Sequence, residues 1–364
     1  MEGTCDLLDL KGLGGKAAGA KGCGVRFLRI SGHVRICPLD LGDTPVNTSR
    51  VKFRALVSSL ILAVVSTGVG RAGLQQPAAP PQLAEPPLQL TPSEIEIYKR
   101  AQTLIDWTPR QIHDLPFLHK LRPTGSQDQL PMVLERVGQT VTLLSHDFPH
   151  VACDEEVYSE AYRGRSHITA LHKFRYIVVP RPLGDVPAFE EYRTDLKGNP
   201  LDASSLSARF MITSNYASTC AYLSPADQHD SRFRHFGIQT IRKRECHVVG
   251  FAQEPEKAHS VGGLLIGGKS VVLLVQGLAW IDSETFQVLR IKTWLLAPRT
   301  DIGLGYQAST VDLYPVQPSG FGRVLWLPRD VIVGAAYRGT WFCNTHHYSN
   351  YKLFRVDSVI KPAE

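Results

Sequence analysis

The residues best suited to nucleotide chemistry run from Gly263 to Ser270, in the order Gly-Leu-Leu-Ile-Gly-Gly-Lys-Ser. This order matches the P-loop, whose backbone N–H groups cradle phosphate because the loop leads from a strand into a helix. Here the next residues are Val-Val-Leu-Leu-Val, which is typical of a strand. Asp282, the candidate magnesium ligand, follows only twelve residues after Ser270, too soon for an intervening helix and strand. We therefore interpret the motif as a glycine-bounded turn before a strand and expect no cofactor.

Three side chains near the C-terminus could bind a metal ion: Cys343, His346 and His347. Further imidazoles are spread over the N-terminal half: His113, His119, His146 and His150. Neighbouring residues of a strand point to opposite faces, so His346 and His347 cannot easily bind one ion together. Since no second closely spaced Cys or His pair accompanies them, we expect half-buried or surface imidazoles rather than a metal site.

Acid-base chemistry would need two carboxylates on the same face. Two adjacent pairs are candidates: Glu155 with Glu156, and Glu190 with Glu191. Adjacent strand residues diverge, and nothing near them in sequence indicates the raised pKa that a general acid needs. Ser214 and Ser218 lack the flanking glycines of a nucleophile elbow. We therefore predict no catalytic residue and a protein that is not an enzyme.

The basic excess is concentrated at the start of the chain. The formal net charge is +6, but residues 1–72 hold 10 of the 40 basic and 5 of the 34 acidic residues, which leaves 30 and 29 for the remainder. Affinity for nucleic acid comes largely from clustered Lys and Arg. The sequence therefore predicts no nucleic-acid partner.

Residues 51–72 have the pattern of a secretory signal. Lys52 and Arg54 precede an apolar run at 55–65, and small residues at Gly70 and Ala72 favour cleavage before Gly73. A single membrane anchor is the alternative, although the run is short of the ~20 apolar residues that a spanning helix needs. We expect the protein in the periplasm or secreted.

Fifty residues precede this signal, whereas signal peptides begin at the N-terminus. Residues 1–50 are Gly-rich and show little periodicity. We expect translation to start at Val51, so that residues 1–50 are a disordered and mis-called upstream segment. Residues 73–92 are rich in Pro, Ala and Gln and predict an extended linker.

Four cysteines remain after the signal: Cys153, Cys220, Cys246 and Cys343. In an oxidising compartment they permit one or two disulfides, with three possible pairings. The alternative is buried free thiols on strands, because none of the spacings resembles a disulfide framework.

Helix signals stand at the beginning of the mature chain. Thr91-Pro92-Ser93-Glu94 and Thr108-Pro109-Arg110-Gln111 each place a capping Thr before a Pro, with an acidic or amide residue three positions on. The first predicts a helix to about Asp106 and the second a short helix that stops near Pro116. A third helix is predicted from about Pro131 to Phe148 by one apolar stripe: Leu134, Val137, Val141, Leu144 and Phe148.

Strand signals dominate from Cys153 onward, and alternation there predicts a sheet with one buried face. The predicted strands beyond residue 230 are Ser231–Gln239, Glu245–Gln253, Val271–Asp282, Phe286–Leu295, Ser309–Val316, Trp326–Tyr337 and Trp341–Val356. Helices followed by a long run of strands argue for one α+β domain, with a helical segment at 93–150 packed on an antiparallel sheet at 151–364.

The clearest hairpin lies between Val271 and Pro298, where two apolar runs flank Asp282-Ser283-Glu284-Thr285. Its Trp280-Ile281-Asp282 and Arg290 resemble the central hairpin of outer-membrane lipoprotein-sorting proteins, the periplasmic lipoprotein carrier and localisation-factor class. Shorter stretches fit uncharacterised secreted relatives of that class: Phe189–Arg193, Phe210–Ser214, Val324–Arg329 and Tyr348–Tyr351.

The resemblance implies a strongly curved, half-barrel antiparallel sheet wrapped around the N-terminal helices, with an apolar concave side that accepts acyl chains. Aromatic residues on the predicted strands are the candidate lining: Phe174, Tyr176, Trp280, Phe286, Trp294 and Trp326. Core filling is the alternative role for them.

The leading hypothesis is a non-enzymatic periplasmic carrier of a lipid, an acyl chain or an acylated protein, with peripheral membrane contact and no metal or cofactor. One alternative is a structural or interaction protein of the envelope whose core is filled by its own helices. A second is a hydrolase with an unidentified site. The sequence leaves the ligand and the oligomeric state open.

Overall fold

Antiparallel strands make up most of the described chain. The computed structural model describes residues 27–30, 33–36, 90–148, 151–183, 186–199, 201, 217–259, 262–266 and 269–353. The backbone alone is described at 27–30, 33–36, 180–183, 186–190, 217–218, 262–266 and 269–270. The predicted signal at 51–72 and almost all of the linker at 73–92 lie outside the described residues.

The chain divides into two compact units, one at Ala20–Pro87 and one containing Leu88–Glu364. In the first unit, β1 (Phe27–Ile30) and β2 (His33–Ile36) pair as an antiparallel hairpin. These eight residues lie within the upstream segment at 1–50, and the rest of that segment lies outside the described residues. Alternating apolar and polar side chains on either side of a Ser-Gly pair favour such a hairpin.

The second unit contains one open, curved sheet of eleven strands. Its strands are β3 (Arg122–Pro123), β4 (Val151–Arg163), β5 (Ser166–Leu183), β6 (Val186–Thr194), β7 (Ser231–Ile241), β8 (Arg244–Gln253), β11 (Val275–Asp282), β12 (Val288–Leu295), β13 (Leu304–Val316), β14 (Leu325–Tyr337) and β15 (Thr340–Leu353). The order is β3-β7-β8-β11-β12-β13-β14-β15-β4-β5-β6, so β3 and β6 are the outer strands. A separate two-stranded hairpin joins β9 (Gly262–Ile266) to β10 (Lys269–Leu273).

Within the described residues, three α-helices precede most of the sheet: α1 (Pro92–Lys99), α2 (Pro109–His113) and α3 (Leu130–Asp147). Short 3-10 helices lie at Leu104–Asp106, Pro116–Leu118, Ala217–Leu223, Gln228–Asp230 and Thr300–Ile302. Both predicted capping boxes are present, on Thr91 and Thr108. The first helix ends before Asp106 because the Leu104 N–H is donated to Gln276 Oε1 at 2.7 Å instead of continuing the helix. The predicted α+β, mostly antiparallel, curved fold is confirmed.

Both faces of the central strands are apolar, because alternate residues of a strand enter different clusters. On β11, Ala279 and Ile281 pack beneath α3, on what we call the α3 face. Leu278 and Trp280 pack on the opposite face. Four buried residues of the segment between α1 and β3 cover that opposite face: Leu104, Ile112, Leu115 and Leu118. Helical segments therefore pack on both sides of the sheet.

The predicted hairpin is present as β11 and β12, but the predicted strand Val271–Asp282 is divided, because Val271–Leu273 belong to β10 and β11 begins at Val275. Two further differences concern the turn and the register. Phe286 lies in the turn with φ at +56°, because the Asp282 carboxylate accepts the Thr285 N–H at 2.8 Å and lengthens the turn. A register shift opposite Trp280 and Ile281 then places Leu289 on the opposite face and Val288 on the α3 face, the reverse of strict alternation.

The backbone of β9 and β10 does not have the conformation of a P-loop. Lys269 and Ser270 begin β10, where a P-loop would begin a helix, and they pair with Ile266 and Leu265 of β9. A strand in this position does not present a row of free N–H groups to phosphate.

Candidate functional site

The α3 face is the candidate ligand-binding surface. Helix α3 lays Val133, Val137 and Val141 on it, and all three are buried. Leu134 and Leu144 of the predicted stripe are partly buried beside them. The residues beneath come from several strands and are largely β-branched or aromatic, so the helix meets a broad apolar surface.

A small pocket of about 10 Å³, room for about one water molecule, lies between the C-terminal half of α3 and the sheet. Its lining is mostly apolar: Thr140, Val141, Leu144, Gln287, Val288, Leu313 and Trp326. The Thr140 hydroxyl donates to the Phe286 carbonyl at 2.9 Å and so fixes the helix to the β11–β12 turn at one end of this pocket. The seam between α3 and β12–β14 is thus apolar and nearly closed.

The six aromatic residues proposed as a lining do not come together. Trp280 and Trp294 are buried on the opposite face, where Trp280 Nε1 donates to Gln239 Oε1 at 2.8 Å. Tyr176 and Phe286 belong to the cluster beneath α3, and Phe174 is buried on β5. Of the six, Trp326 lines the pocket at the end of α3. The alternation of faces along the strands separates the others.

A buried polar cluster, which we call the Glu155 cluster, lies beside the apolar residues of the α3 face. Glu155 on β4 is fully buried and accepts Arg193 Nε at 2.5 Å and a second Arg193 N–H at 2.8 Å. It also accepts the Tyr348 hydroxyl at 2.9 Å and lies 2.8 Å from His346 Nδ1. The Arg193 guanidinium stands over the Tyr176 ring, 5.7 Å from its centroid. Strands β4, β5, β6 and β15 each contribute to this cluster.

The Glu155 cluster holds a carboxylate that has no proton to donate. Burial alone would raise the pKa of Glu155, but the hydrogen bonds and charge of Arg193, assisted by His346, lower it to about 2. Burial lowers the pKa of His346, although Glu155 opposes the shift. A carboxylate that stays ionised at neutral pH is unsuited to general acid catalysis. The cluster is therefore suited to holding β4, β5, β6 and β15 together.

This shift predicts acid sensitivity. Because the folded pKa lies below the ordinary value of 4.5, the unfolded chain takes up the proton first as the pH falls. The stability from Glu155 is then fully present above pH 4.5 and is lost as the pH falls toward about 2. Urea unfolding across this window should show a weaker pH dependence for Glu155→Gln than for the wild type. Equal pH dependence would contradict the assignment.

The remaining candidates from the sequence are separated by the structure. Glu156 is exposed and pairs with Lys173 on the other side of the strand from Glu155. His346 is buried with Glu155, whereas His347 is exposed and pairs with Asp330, so the two imidazoles do not share a site.

Three of the four cysteines are buried free thiols: Cys153, Cys220 and Cys246. Cys343 is buried on β15 and is disulfide-bonded, to none of these three. A pairing among the four is therefore excluded. Burial, with the Glu155 charge, holds the pKa of Cys153 well above its ordinary value, and burial raises the pKa of Cys220 to about 12. Such thiols are inert.

Sequence reasoning missed the Glu155 cluster because its members are remote in the chain. Arg193 is 38 residues from Glu155 and His346 is 191 residues away. The only local signal was that Glu155 follows Cys153 and precedes Val157 on the buried side of β4. A charged residue in a buried register position needs a partner.

Comparison with known proteins finds similarity to solved structures alone. No family model matches the chain, and no curated protein matches it. A DUF1329 family protein from Desulfovibrio piger is 12% identical with a TM-score of 0.32, covering 60% of this chain and 92% of its own. A domain assigned as an outer membrane lipoprotein-sorting protein, from Vibrio parahaemolyticus, is 11% identical with a TM-score of 0.32. The match covers 60% of this chain and 91% of that domain. A LolA superfamily protein from Nitrosomonas europaea is 12% identical with a TM-score of 0.29. The match covers 62% of this chain and 94% of that protein.

These structures include the lipoprotein-sorting class that the β11–β12 hairpin resembles. At this level of similarity their functions are not transferred to this chain. Among the described helices, none combines the length and the apolar character that a membrane crossing needs.

Proposed function

We propose that the protein is a non-enzymatic carrier of the bacterial periplasm that binds an acyl chain of a lipid or of an acylated protein. The pocket between α3 and the sheet is the observation that carries this proposal. Val141, Leu144 and Leu313 give it apolar walls, and Trp326 adds a large aromatic surface. The signal-like sequence at residues 51–72 supports the compartment.

The size of the pocket defines how a ligand would be held. Its volume of about 10 Å³ is far below the ~300–1,000 Å³ usual for small-molecule sites. A long acyl chain therefore requires α3 to move outward from the sheet. Methylene groups can replace the contacts of Val137 and Val141 at little cost, because burial of apolar surface depends on area rather than on direction.

A pair of neighbouring leucines on α3 tests the proposal. Leu144 lines the pocket, whereas Leu143 faces solvent with 55% of its surface exposed. Leu144→Trp should fill the pocket and weaken binding of a fluorescent long-chain fatty acid by about tenfold, which corresponds to about 1.4 kcal/mol. Leu143→Trp should leave binding unchanged. Fluorescence titration of both variants and of the wild type measures the effect.

Organic extraction of purified wild-type protein, followed by mass spectrometry, provides an independent readout. Co-purifying acylated molecules that are depleted in Leu144→Trp and retained in Leu143→Trp are expected. If the wild type neither retains nor binds an acyl chain, the carrier proposal is wrong, and the alternative of an envelope interaction protein with a self-filled core is favoured. Thermal unfolding of both variants excludes misfolding as the cause.

A further inference from the structure

Three side chains with metal-ligand chemistry meet at one end of the β7–β8 hairpin. His229 and Asp230 close the 3-10 helix that leads into β7, and His259 lies in the loop that leaves β8. Because Ser231 pairs with Gln253, the start of β7 and the end of β8 are adjacent. The antiparallel register therefore brings residues 229, 230 and 259 together, although 29 residues separate Asp230 from His259.

Both imidazoles face the same carboxylate oxygen. His229 Nε2 is 3.1 Å and His259 Nδ1 is 3.0 Å from Asp230 Oδ1, and the three potential ligand atoms lie within 4.8 Å of one another. The Asp230 side chain is only 2% exposed, whereas those of His229 and His259 are 61% and 78% exposed. A buried carboxylate thus forms the floor of the site, and the two imidazoles form a rim that solvent reaches.

The backbone orients the carboxylate toward this rim. The His259 N–H donates to Asp230 Oδ2 at 2.6 Å, and the Glu254 N–H donates to the Asp230 carbonyl at 2.8 Å. One carboxylate oxygen is therefore occupied by the backbone, while the other is directed at both imidazoles. Hydrogen bonds of this kind fix the orientation of metal-binding carboxylates.

We propose that His229, Asp230 and His259 bind a divalent transition-metal ion of the zinc class. Zinc bonds to imidazole nitrogen and carboxylate oxygen at about 2.0–2.2 Å in tetrahedral geometry, which sets ligand atoms about 3.3 Å apart. The nitrogen-to-oxygen distances of 3.0 Å and 3.1 Å are close to that separation. The ion replaces the protons that lie between the imidazoles and the carboxylate, and water completes its coordination. Two nitrogens and one oxygen select zinc over magnesium, which prefers oxygen ligands.

The bound ion adds a link between two segments that backbone hydrogen bonds to Asp230 already join. It joins the turn before β7 to the loop after β8, and that loop continues directly into the separate β9–β10 hairpin at Gly262. The site is independent of the acyl-chain pocket and does not rest on it.

Isothermal titration of the full 364-residue chain with zinc chloride tests the site. We expect saturable binding of one zinc ion that His229→Gln and His259→Gln each weaken by at least about tenfold, the scale at which a lost metal contact acts. Magnesium chloride should produce no binding at this site. Zinc should raise the Tm of the wild type more than that of either variant, because a ligand that binds the folded state stabilises it.

His347→Gln is the matched control, because His347 pairs with the Asp330 carboxylate at 2.8 Å in an exposed His–Asp pair on β14 and β15. Its zinc affinity should equal that of the wild type. Because both imidazoles contact the buried Asp230 carboxylate, the Tm of each rim variant without metal is its own baseline for the zinc-induced shift. Zinc binding that is absent, or that is equal in the wild type, His229→Gln and His259→Gln, would overturn the proposal.

Discussion

Replacing Glu155 by Ala is expected to lower the free energy of unfolding by about 3–5 kcal/mol, the usual cost of removing one partner from a buried ion pair. The Arg193 side chain is only 11% exposed and loses the carboxylate that it binds through two N–H groups. The buried Tyr348 hydroxyl and His346 lose the same acceptor. Urea unfolding monitored by tryptophan fluorescence measures the loss.

The adjacent residue supplies the control for this substitution. Glu156 is exposed, points to the other side of β4 and pairs with exposed Lys173. Glu156→Ala should cost no more than about 1 kcal/mol, as surface ion pairs do. Equal losses for the two alanine variants would mean that the Glu155 cluster does not hold its strands together.

Replacing Val137 by Asp is expected to cost about 4–5 kcal/mol or more, because it places an unpaired carboxylate between α3 and the sheet. Val137 is fully buried in the cluster beneath α3. Marginal domains have only about 5–15 kcal/mol of total stability. The variant should therefore unfold at much lower urea concentration than the wild type, or fail to fold. Circular dichroism at increasing urea concentrations measures this change.

Leu143→Asp provides the comparison on the same helix, since Leu143 is 55% exposed. Its stability should differ from that of the wild type by no more than about 0.5 kcal/mol. If Val137→Asp folded as cooperatively as Leu143→Asp, α3 would be a peripheral helix. The acyl-chain proposal would then lose the surface on which it rests.

Local signals in the sequence were sufficient for most elements of the sheet and for the helix caps. The capping Thr and Pro pairs fix α1 and α2 at their first residues, because these signals act over three positions. Strand β6 was not predicted, since Pro187 and a run of charged residues interrupt its pattern. It is an outer strand of the described sheet, the position where proline is tolerated in a strand.

Features that depend on register or on distant pairing could not be read from the sequence. The exchange of Val288 and Leu289 between faces arises from one register shift opposite Trp280 and Ile281. No local sequence pattern predicts such a shift. The Glu155 cluster depends on four strands being adjacent, and the His229 site depends on the pairing of β7 with β8. In each case the residue types are ordinary, and the chemistry comes from the topology.

The two outer strands also determine how the sheet meets other chains. β3 is only two residues long, Arg122 and Pro123, and β6 contains Pro187 near its start. Proline has no N–H to donate, and a two-residue strand offers little length for an added strand to pair with. An open sheet with such ends resists growth by edge-to-edge association between copies. Strand pairing between copies through these two ends is thereby disfavoured.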